Sequence, residues 1–203
     1  MSENYLVDTY ATEREKVLGV WSMFKDDDLQ ARPHTTDKRG RSVREQMVHQ
    51  CVSENLWFID MLEIDVNAPP LPEEETRIEF IKRYAEDSGK RLEALREKEA
   101  DWWETERTFF DVNRSRAWIF VRRLLHTSHH RGQQTAYLRM LGRDLHSTYG
   151  PTADTGGLMQ NKAPTIYPHS DIDTLIEKES TGGEKTPLPS KTDQAITERP
   201  EVS

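Results

Sequence analysis

The chain has 203 residues, enough for one ordinary domain and a tail, and 34% of them are hydrophobic while 32% are charged. The net charge of −8 argues against a protein that binds nucleic acid by neutralising phosphates, but it leaves a small anionic substrate open. No apolar run approaches the roughly 18 residues of a membrane span, and the first residues lack the pattern of a secretory signal. Because Cys51 is the single cysteine and cannot form an internal disulfide, we expect a cytoplasmic protein. From the net charge and the lack of a long apolar run, we expect it to bind neither nucleic acid nor membranes.

Four segments carry apolar residues at the three-to-four spacing of an amphipathic helix: residues 5–25, 43–62, 76–99 and 115–141. Ser42, followed three positions later by Glu45, forms a capping box that predicts the start of the second helix. Gly142 is predicted to end the fourth helix as its C′ glycine. Four long helices without a convincing strand pattern predict an all-α protein built as an antiparallel four-helix bundle.

The remaining segments do not follow the helical pattern. Residues 101–116 mix aromatic and charged side chains, and we predict a short irregular or β-like piece there. The bundle is assigned to residues 1–150, and the Gly- and Pro-rich residues 151–169 are predicted to pack on it as an irregular extension. From residue 170 the chain has few large apolar residues and many Glu, Lys, Thr and Pro, which predicts a disordered acidic tail over residues 170–203.

Three of the seven histidines fall within five positions of the predicted fourth helix, at His126, His129 and His130. Residues four apart share a helix face, so His126 and His130 point the same way, and His129 shares that face less directly. Two imidazoles one turn apart can bind one divalent metal, although a catalytic zinc usually has three protein ligands. His49, mid-way along the second helix, is the best candidate for the third. Spacing alone leaves two interpretations open, a metal site and a set of packed or surface histidines.

The segment HTSHHRGQQTAYLRMLG resembles the C-terminal helix motif of the DinB-like family, which is described as a family of metal-dependent hydrolases. In that motif a histidine is followed four positions later by another that directly precedes Arg-Gly-Gln, as His126 and His130 do here. The segment VREQMVHQCVSENLWF is similar to the second-helix motif of the family, a histidine with a glutamate five positions on, here His49 and Glu54. The resemblance covers about residues 5–142.

The resemblance implies an up-up-down-down four-helix bundle in which His49, His126 and His130 bind one divalent transition metal, often zinc or nickel. It selects His130 over His129 as a ligand. A metal bound by neutral imidazoles keeps its positive charge and lowers the pKa of a bound water or thiol.

Three functions remain open on this basis. The first is transfer of a low-molecular-weight thiol, an S-transferase activity found among relatives of the family. The second is metal-dependent hydrolysis of a small ester, amide or phosphoester. The third is a non-enzymatic stress-response role in which the bundle binds a metal or a partner. Because no carboxylate base is evident near the histidines, the sequence favours thiol chemistry, whereas the description of the family favours hydrolysis.

Four residues near the histidines are candidates for catalysis: Glu54, Arg131, Gln133 and Tyr137. Glu54 lies about 140° around the helix from His49, which favours a structural or outer-shell role over that of a direct base. Arg131 is predicted to clamp an anion or, preferably, to pair with Glu54. Gln133 and Tyr137 are predicted to line the pocket or contact the substrate, with plain packing as the alternative for Tyr137.

Other side chains of these helices receive structural roles. Gly132 is predicted to let a neighbouring helix approach closely, because a mid-helix glycine otherwise costs about 1 kcal/mol relative to alanine. The tryptophans Trp21, Trp57 and Trp118 are predicted to fill the core. Cys51 is not expected to act as a nucleophile, since nothing in its local sequence would lower its pKa. We expect a small-molecule substrate, and a homodimer formed through bundle faces is a further expectation.

Overall fold

The computed structural model describes residues 4–190, and its main body is a bundle of four long helices. These are α1 (Asn4–Met23), α2 (Val43–Asp60), α3 (Arg77–Arg96) and α5 (Arg116–Met140). A short helix, α4 (Ala100–Glu104), and an antiparallel hairpin of β1 (Glu106–Phe109) and β2 (Val112–Ser115) come between α3 and α5. Helix α6 (Ile172–Thr181) follows the bundle, and single 3₁₀ turns occur at Asp26–Gln30, Ala153–Thr155 and Met159–Asn161. The predicted all-α bundle and the β-like piece within residues 101–116 are both confirmed.

The helix ends follow the capping signals of the sequence. The Ser42 hydroxyl accepts a hydrogen bond from the Glu45 N–H at 3.2 Å, and the Glu45 carboxylate accepts one from the Ser42 N–H at 2.8 Å. Thr76 and Glu79 form the same reciprocal box at the start of α3. Gly142 follows α5 with a φ of +66°, the left-handed conformation that glycine adopts without a steric penalty. The predicted start of α2 and the predicted end of α5 are therefore confirmed.

Side-chain contacts fix the directions of the four long helices. Helices α1 and α5 are parallel, while α3 is antiparallel to α1 and α2 is antiparallel to α5. The contacts Tyr10–Phe120 and Trp21–Gln134 show the direction of α5 relative to α1. The contacts Arg14–Ser88 and Trp21–Phe80 do so for α3 and α1, and the contacts Gln46–Gln133 and Ser53–Arg123 do so for α2 and α5. The order of directions is thus up, down, down, up, and the implied up-up-down-down arrangement is wrong. Two parallel neighbours in sequence, α2 and α3, require a long crossover, which the Pro-rich residues 61–76 provide.

The bundle core consists of two apolar clusters separated by a polar layer. One cluster contains Trp21, Met47 and Tyr84, and the other contains Phe58 and Phe120. Along each long helix the buried residues between the clusters are polar or charged; they include Glu13, Glu54, Ser88, Arg91, Thr127 and Arg131. Buried charges need partners, and the partners of this layer come from neighbouring helices. Within residues 4–190 no helix combines the length and apolar character required to cross a bilayer.

The segment after the bundle is ordered further than the sequence predicts. Residues 151–169 pack on the bundle, with Pro168 against α1 at Gly19. The prediction of disorder from residue 170 is wrong for Ile172–Thr181, which form helix α6 with Leu175 buried. The apolar residues of this segment are few, but Ile172, Leu175 and Ile176 fall on one helix face and pack against the core. The rest of the predicted tail beyond residue 190 lies outside the described residues.

Helix α5 contains a glycine that packing does not require. A Cβ built on Gly132 would meet no atom within 4 Å, so the predicted close approach of a neighbouring helix is wrong. We expect Gly132→Ala to raise the free energy of unfolding by about 1 kcal/mol, because alanine has the higher helix propensity and restricts the unfolded chain. Urea unfolding measures the change. A loss of stability would contradict the open surroundings of this position.

Candidate metal centre

Three histidines from two antiparallel helices meet on one side of the polar layer. Helix α2 supplies His49, and α5 supplies His126 and His130, one turn apart. One ring nitrogen from each lies within 4.8 Å of the other two. The Nε2 atoms of His126 and His130 are 3.1 Å apart, close to the roughly 3.3 Å that separates two nitrogens bound tetrahedrally to one zinc. The structure therefore brings together the three residues that the sequence resemblance selects.

Hydrogen bonds around His130 determine which of its nitrogens is free to bind. Its Nδ1 lies 3.0 Å from Oε1 of Gln133, and Nε2 of Gln46 donates to the same oxygen at 3.0 Å. A carbonyl oxygen only accepts, so Nδ1 of His130 carries the proton and Nε2 presents a lone pair to His126. Gln133 thus holds His130 in the tautomer that a metal ligand needs, the usual task of an outer-shell partner.

His126 has a different arrangement. Arg123 donates from Nη1 to its Nδ1 at 3.1 Å, so the ring proton resides on Nε2 and is donated to His130. Ligation of a metal through Nε2 requires the other tautomer, in which Nδ1 no longer accepts from Arg123. Trp57 stacks on the face of the His126 ring, with the two ring centroids 5.8 Å apart and an interplanar angle of 16°.

The surroundings keep all three imidazoles neutral. Burial, followed by the positive charge of Arg123, lowers the pKa of His126 to about 3. Burial lowers the pKa of His130 to about 4. Burial and the charge of Arg41 lower the pKa of His49 as well. Neutral imidazole is the form that binds zinc, nickel, copper or iron, so this donor set fits a transition metal.

These shifts predict the pH dependence of stability in the metal-free protein. The folded-state pKa values of His126 and His130 lie below the ordinary value of about 6.5, so the unfolded chain takes up protons first as the pH falls. The stability that these groups contribute is complete above about pH 6.5 and is lost as the pH falls from there to about 4 for His130 and about 3 for His126. The thermal midpoint, measured from pH 7.5 to 4, should decrease less steeply in His126→Gln/His130→Gln. Parallel slopes for the two proteins would contradict the prediction.

Comparison with known proteins places this fold and motif in a family. The sequence profile of the DinB family matches residues 1–162. The chain belongs to the DinB family. A search of curated proteins finds no match.

Two solved structures of DinB-like proteins resemble this chain. The crystal structure of a DinB-like protein from Bacillus subtilis superposes with a TM-score of 0.57 at 17% identity, covering 70% of this chain and 94% of that one. The crystal structure of another from Bacillus cereus gives a TM-score of 0.62 at 17% identity, covering 71% and 95%. At this identity the likeness shows the fold alone.

In this DinB-family chain Glu54 is a structural residue of the polar layer. Its side chain is fully buried and accepts hydrogen bonds from the hydroxyls of Tyr10 at 2.6 Å and Tyr84 at 3.1 Å. The guanidinium groups of Arg91 and Arg123 each approach it at 3.4 Å. Burial, followed by the negative charge of Glu54, raises the pKa of both tyrosines, so their hydroxyls stay protonated and donate. With four donors around it, Glu54 is occupied as an acceptor, in keeping with the predicted structural role.

The other candidates for catalysis also have structural partners. Arg131 pairs with Glu13 of α1, so the predicted pair with Glu54 is wrong. The oxygens of Glu54 are already bound by the hydroxyls of two tyrosines and by the guanidinium groups of Arg91 and Arg123. The Tyr137 hydroxyl donates to the carbonyl of Arg41 at 2.9 Å and so ties the loop before α2 to α5. Gln133 is the one candidate that touches a histidine of the trio.

His129 lies outside the trio. Its Nε2 is 3.1 Å from Nε2 of Gln133, and its side chain is exposed on the outer face of α5. Because the Gln133 amide nitrogen donates, His129 accepts this bond and helps to orient the amide that fixes His130.

Sequence reasoning missed the roles of Arg123 and Trp57. Arg123 donates hydrogen bonds to both Glu54 and His126. Its position one turn before His126 on α5 was the sequence signal that could have predicted its contact with this histidine. The core prediction is correct for Trp21 and wrong for Trp118, which is 40% exposed. Trp57 is half-buried, packs against the edge of the core and stacks on His126. Burial raises the pKa of the Cys51 thiol, which agrees with an unreactive cysteine.

An open groove of about 690 Å³ lies beside His49 at the start of α2. We call it the basic groove, since its charged lining consists of Lys38, Arg39, Arg41, Arg44 and Glu45. Among these lining residues the one carboxylate, that of Glu45, is paired with Arg32 at 2.7 Å. Arg39 is paired with Asp37 at 2.6 Å, so the positive charge comes mainly from Lys38, Arg41 and Arg44. The groove therefore presents a positive surface next to the trio, although the whole chain is acidic.

Proposed function

We propose that His49, His126 and His130 bind one divalent transition metal, zinc or nickel, and that the protein transfers a low-molecular-weight anionic thiol to an electrophilic small molecule. The observation that carries the proposal is the convergence of three neutral imidazoles, with one tautomer set by Gln133. A divalent metal held by three neutral ligands lowers the pKa of a thiol or water that binds it.

The surroundings of the trio favour a thiol over water as the nucleophile. Hydrolysis by an activated water usually employs a general base within hydrogen-bond reach. In the described part of the chain no Asp or Glu joins the three histidines, and Glu54 is engaged by four donors. A thiol has an intrinsically lower pKa than water and needs no such base.

The basic groove supports an anionic thiol. Arg41 and Arg44 lie next to His49 along the groove, and the Tyr137 bond holds the backbone at Arg41 in place. Positive side chains at the mouth of a site raise the local concentration of an anion and orient its carboxylates. The roles assigned to this chain are therefore metal binding by the trio, tautomer control by Gln133, and anion binding by the groove.

Conjugation of glutathione with 1-chloro-2,4-dinitrobenzene tests the proposal. The thiol sulfur forms a C–S bond with the ring, chloride leaves with the electron pair, and the thiol proton passes to solvent. Turnover is expected only in protein loaded with zinc or nickel and should be lost in His130→Ala. His34→Asn removes a histidine outside the trio but keeps an acceptor for the turn at residues 34–37, so it should retain activity. Glutathione should have a lower KM than neutral 2-mercaptoethanol, and Arg44→Met should narrow that difference.

The outcomes distinguish the three functions. Metal-dependent cleavage of p-nitrophenyl acetate without any thiol, lost in His130→Ala, would replace thiol transfer with hydrolysis. One equivalent of bound metal with neither activity would point to a non-enzymatic metal-binding protein. Thiol transfer that is unaffected by removal of the metal would refute the proposal.

A further inference from the structure

The tip of the β1–β2 hairpin has an unusual residue for its backbone conformation. Phe110 begins the turn with a φ of +54°, and 70% of its side chain is exposed. A two-residue hairpin turn with a positive φ at its first central position favours glycine, and a bulky residue there is strained. Glycine would adopt this backbone conformation without the steric cost that phenylalanine incurs. Strain of this kind points to a function for the side chain.

The strained residue is connected to the histidine trio through Trp57. The ring of Phe110 packs edge-on against the rings of Trp57 and Phe109, with centroid distances of 6.4 Å and 4.8 Å. The rings of Phe109 and Trp57 also pack edge-on, with their centroids 5.4 Å apart. Trp57 is the ring that stacks on His126. We call Trp57, Phe109 and Phe110 the aromatic wall. It continues directly from a ligand of the proposed metal, while the basic groove opens beside His49.

We propose that the aromatic wall binds a planar aromatic group of the electrophilic substrate. This rests on the proposed function and names the class of its second substrate. Exposed aromatic edges and faces recognise planar apolar groups by offset and edge-on stacking, which adds specificity to the burial of apolar area. The exposed charges are segregated accordingly, with cationic side chains beside His49 and apolar rings beside His126, where the guanidinium of Arg123 is buried. An anion and an aromatic group can therefore approach the trio from different sides.

The occupant of the wall is inferred to be a small molecule because the wall leads from Phe110 through Trp57 to the ring of His126, so a group seated on it would lie beside the proposed metal site. The alternative is a second copy of the chain, since Leu56 and Leu125 on the same pair of helices are also exposed. The experiment below separates these two occupants.

The test measures binding without turnover. Naphthalene-2-carboxamide, a neutral probe, is titrated into ¹⁵N-labelled protein, and the indole N–H of Trp57 is assigned from Trp57→Phe. The probe should shift this signal in both metal-free and zinc-loaded protein, and the fully saturated analogue should bind at least fivefold more weakly. Phe110→Gly suits the turn and should weaken binding of the probe at least fivefold. Tyr5→Ala, which removes an exposed ring on α1, should leave it unchanged.

Binding at Trp57 in protein that takes up neither zinc nor nickel would refute the metal-based function but support the aromatic wall. An unshifted Trp57 signal, or equal affinity in Phe110→Gly, would overturn the aromatic wall and leave the proposed function intact. Sedimentation velocity measures whether a second copy of the chain occupies the surface instead. A dimer that becomes monomeric in Phe110→Gly, without binding of the probe, would assign the surface to a second copy and overturn the proposal.

Discussion

Replacing Glu54 with leucine is expected to lower the free energy of unfolding by about 3–5 kcal/mol, the typical cost of leaving buried charges without their partner. The side chains of Arg91 and Arg123 are each only 1% exposed, so neither can turn to water when the carboxylate is removed. The hydroxyls of Tyr10 and Tyr84 lose their acceptor in the same step. Chemical denaturation followed by circular dichroism measures the change.

Two variants make this expectation specific to the buried layer. Glu86→Gln removes a carboxylate from an exposed pair with Lys90, in which the two side chains are 64% and 48% exposed, and should cost no more than about 0.5 kcal/mol. Adding Arg91→Met to Glu54→Leu should recover part of the loss, because one unpaired buried charge is replaced by an apolar side chain. A Glu54→Leu variant as stable as Glu86→Gln would show that the polar layer does not depend on this carboxylate.

Local sequence signals predicted the elements of the fold. The capping box at Ser42, the C′ glycine at Gly142 and the apolar periodicity depend on neighbours within a few residues, and each is confirmed. The directions of the helices were not predictable in this way, because a helix has the same periodicity whether it runs up or down. Helix α6 was missed because its stability comes from contacts of Leu175 with the bundle, which a composition argument does not detect.

The candidate site was predictable only where it depends on residues close together in the sequence or on the family motif. His126 and His130 share a face by helical spacing, and the family motif selects His49 across the bundle. Partners at long range were assigned incorrectly: Arg131 finds Glu13, and the partners of Glu54 include Arg91 and Arg123. Arginine side chains reach in several directions from one helix position, so spacing alone does not select their acceptors.

Zinc affinity should fall in a graded series if the trio binds metal and Gln133 sets the tautomer of His130. His130→Ala removes a ligand and should weaken zinc binding by more than about 100-fold, beyond the effect of losing an outer-shell partner. Gln133→Ala leaves three ligands but frees Nδ1 of His130, so it should weaken binding by about 10–100-fold. His34→Asn should bind as the unmodified chain does. Competition with a chromophoric chelator, using protein without an affinity tag, gives the three constants.

The Gln133→Ala variant distinguishes a metal centre from a cluster of histidines that only pack together. Packing alone would make the loss in Gln133→Ala negligible, since the amide lies outside the trio and contacts His130 only through Nδ1. Restoring an acceptor at this position with Gln133→Glu should recover affinity, because a carboxylate holds the Nδ1 proton at least as well as an amide oxygen. Equal affinities across His130→Ala, Gln133→Ala and His34→Asn would place any bound zinc elsewhere and remove the basis for metal chemistry at this site.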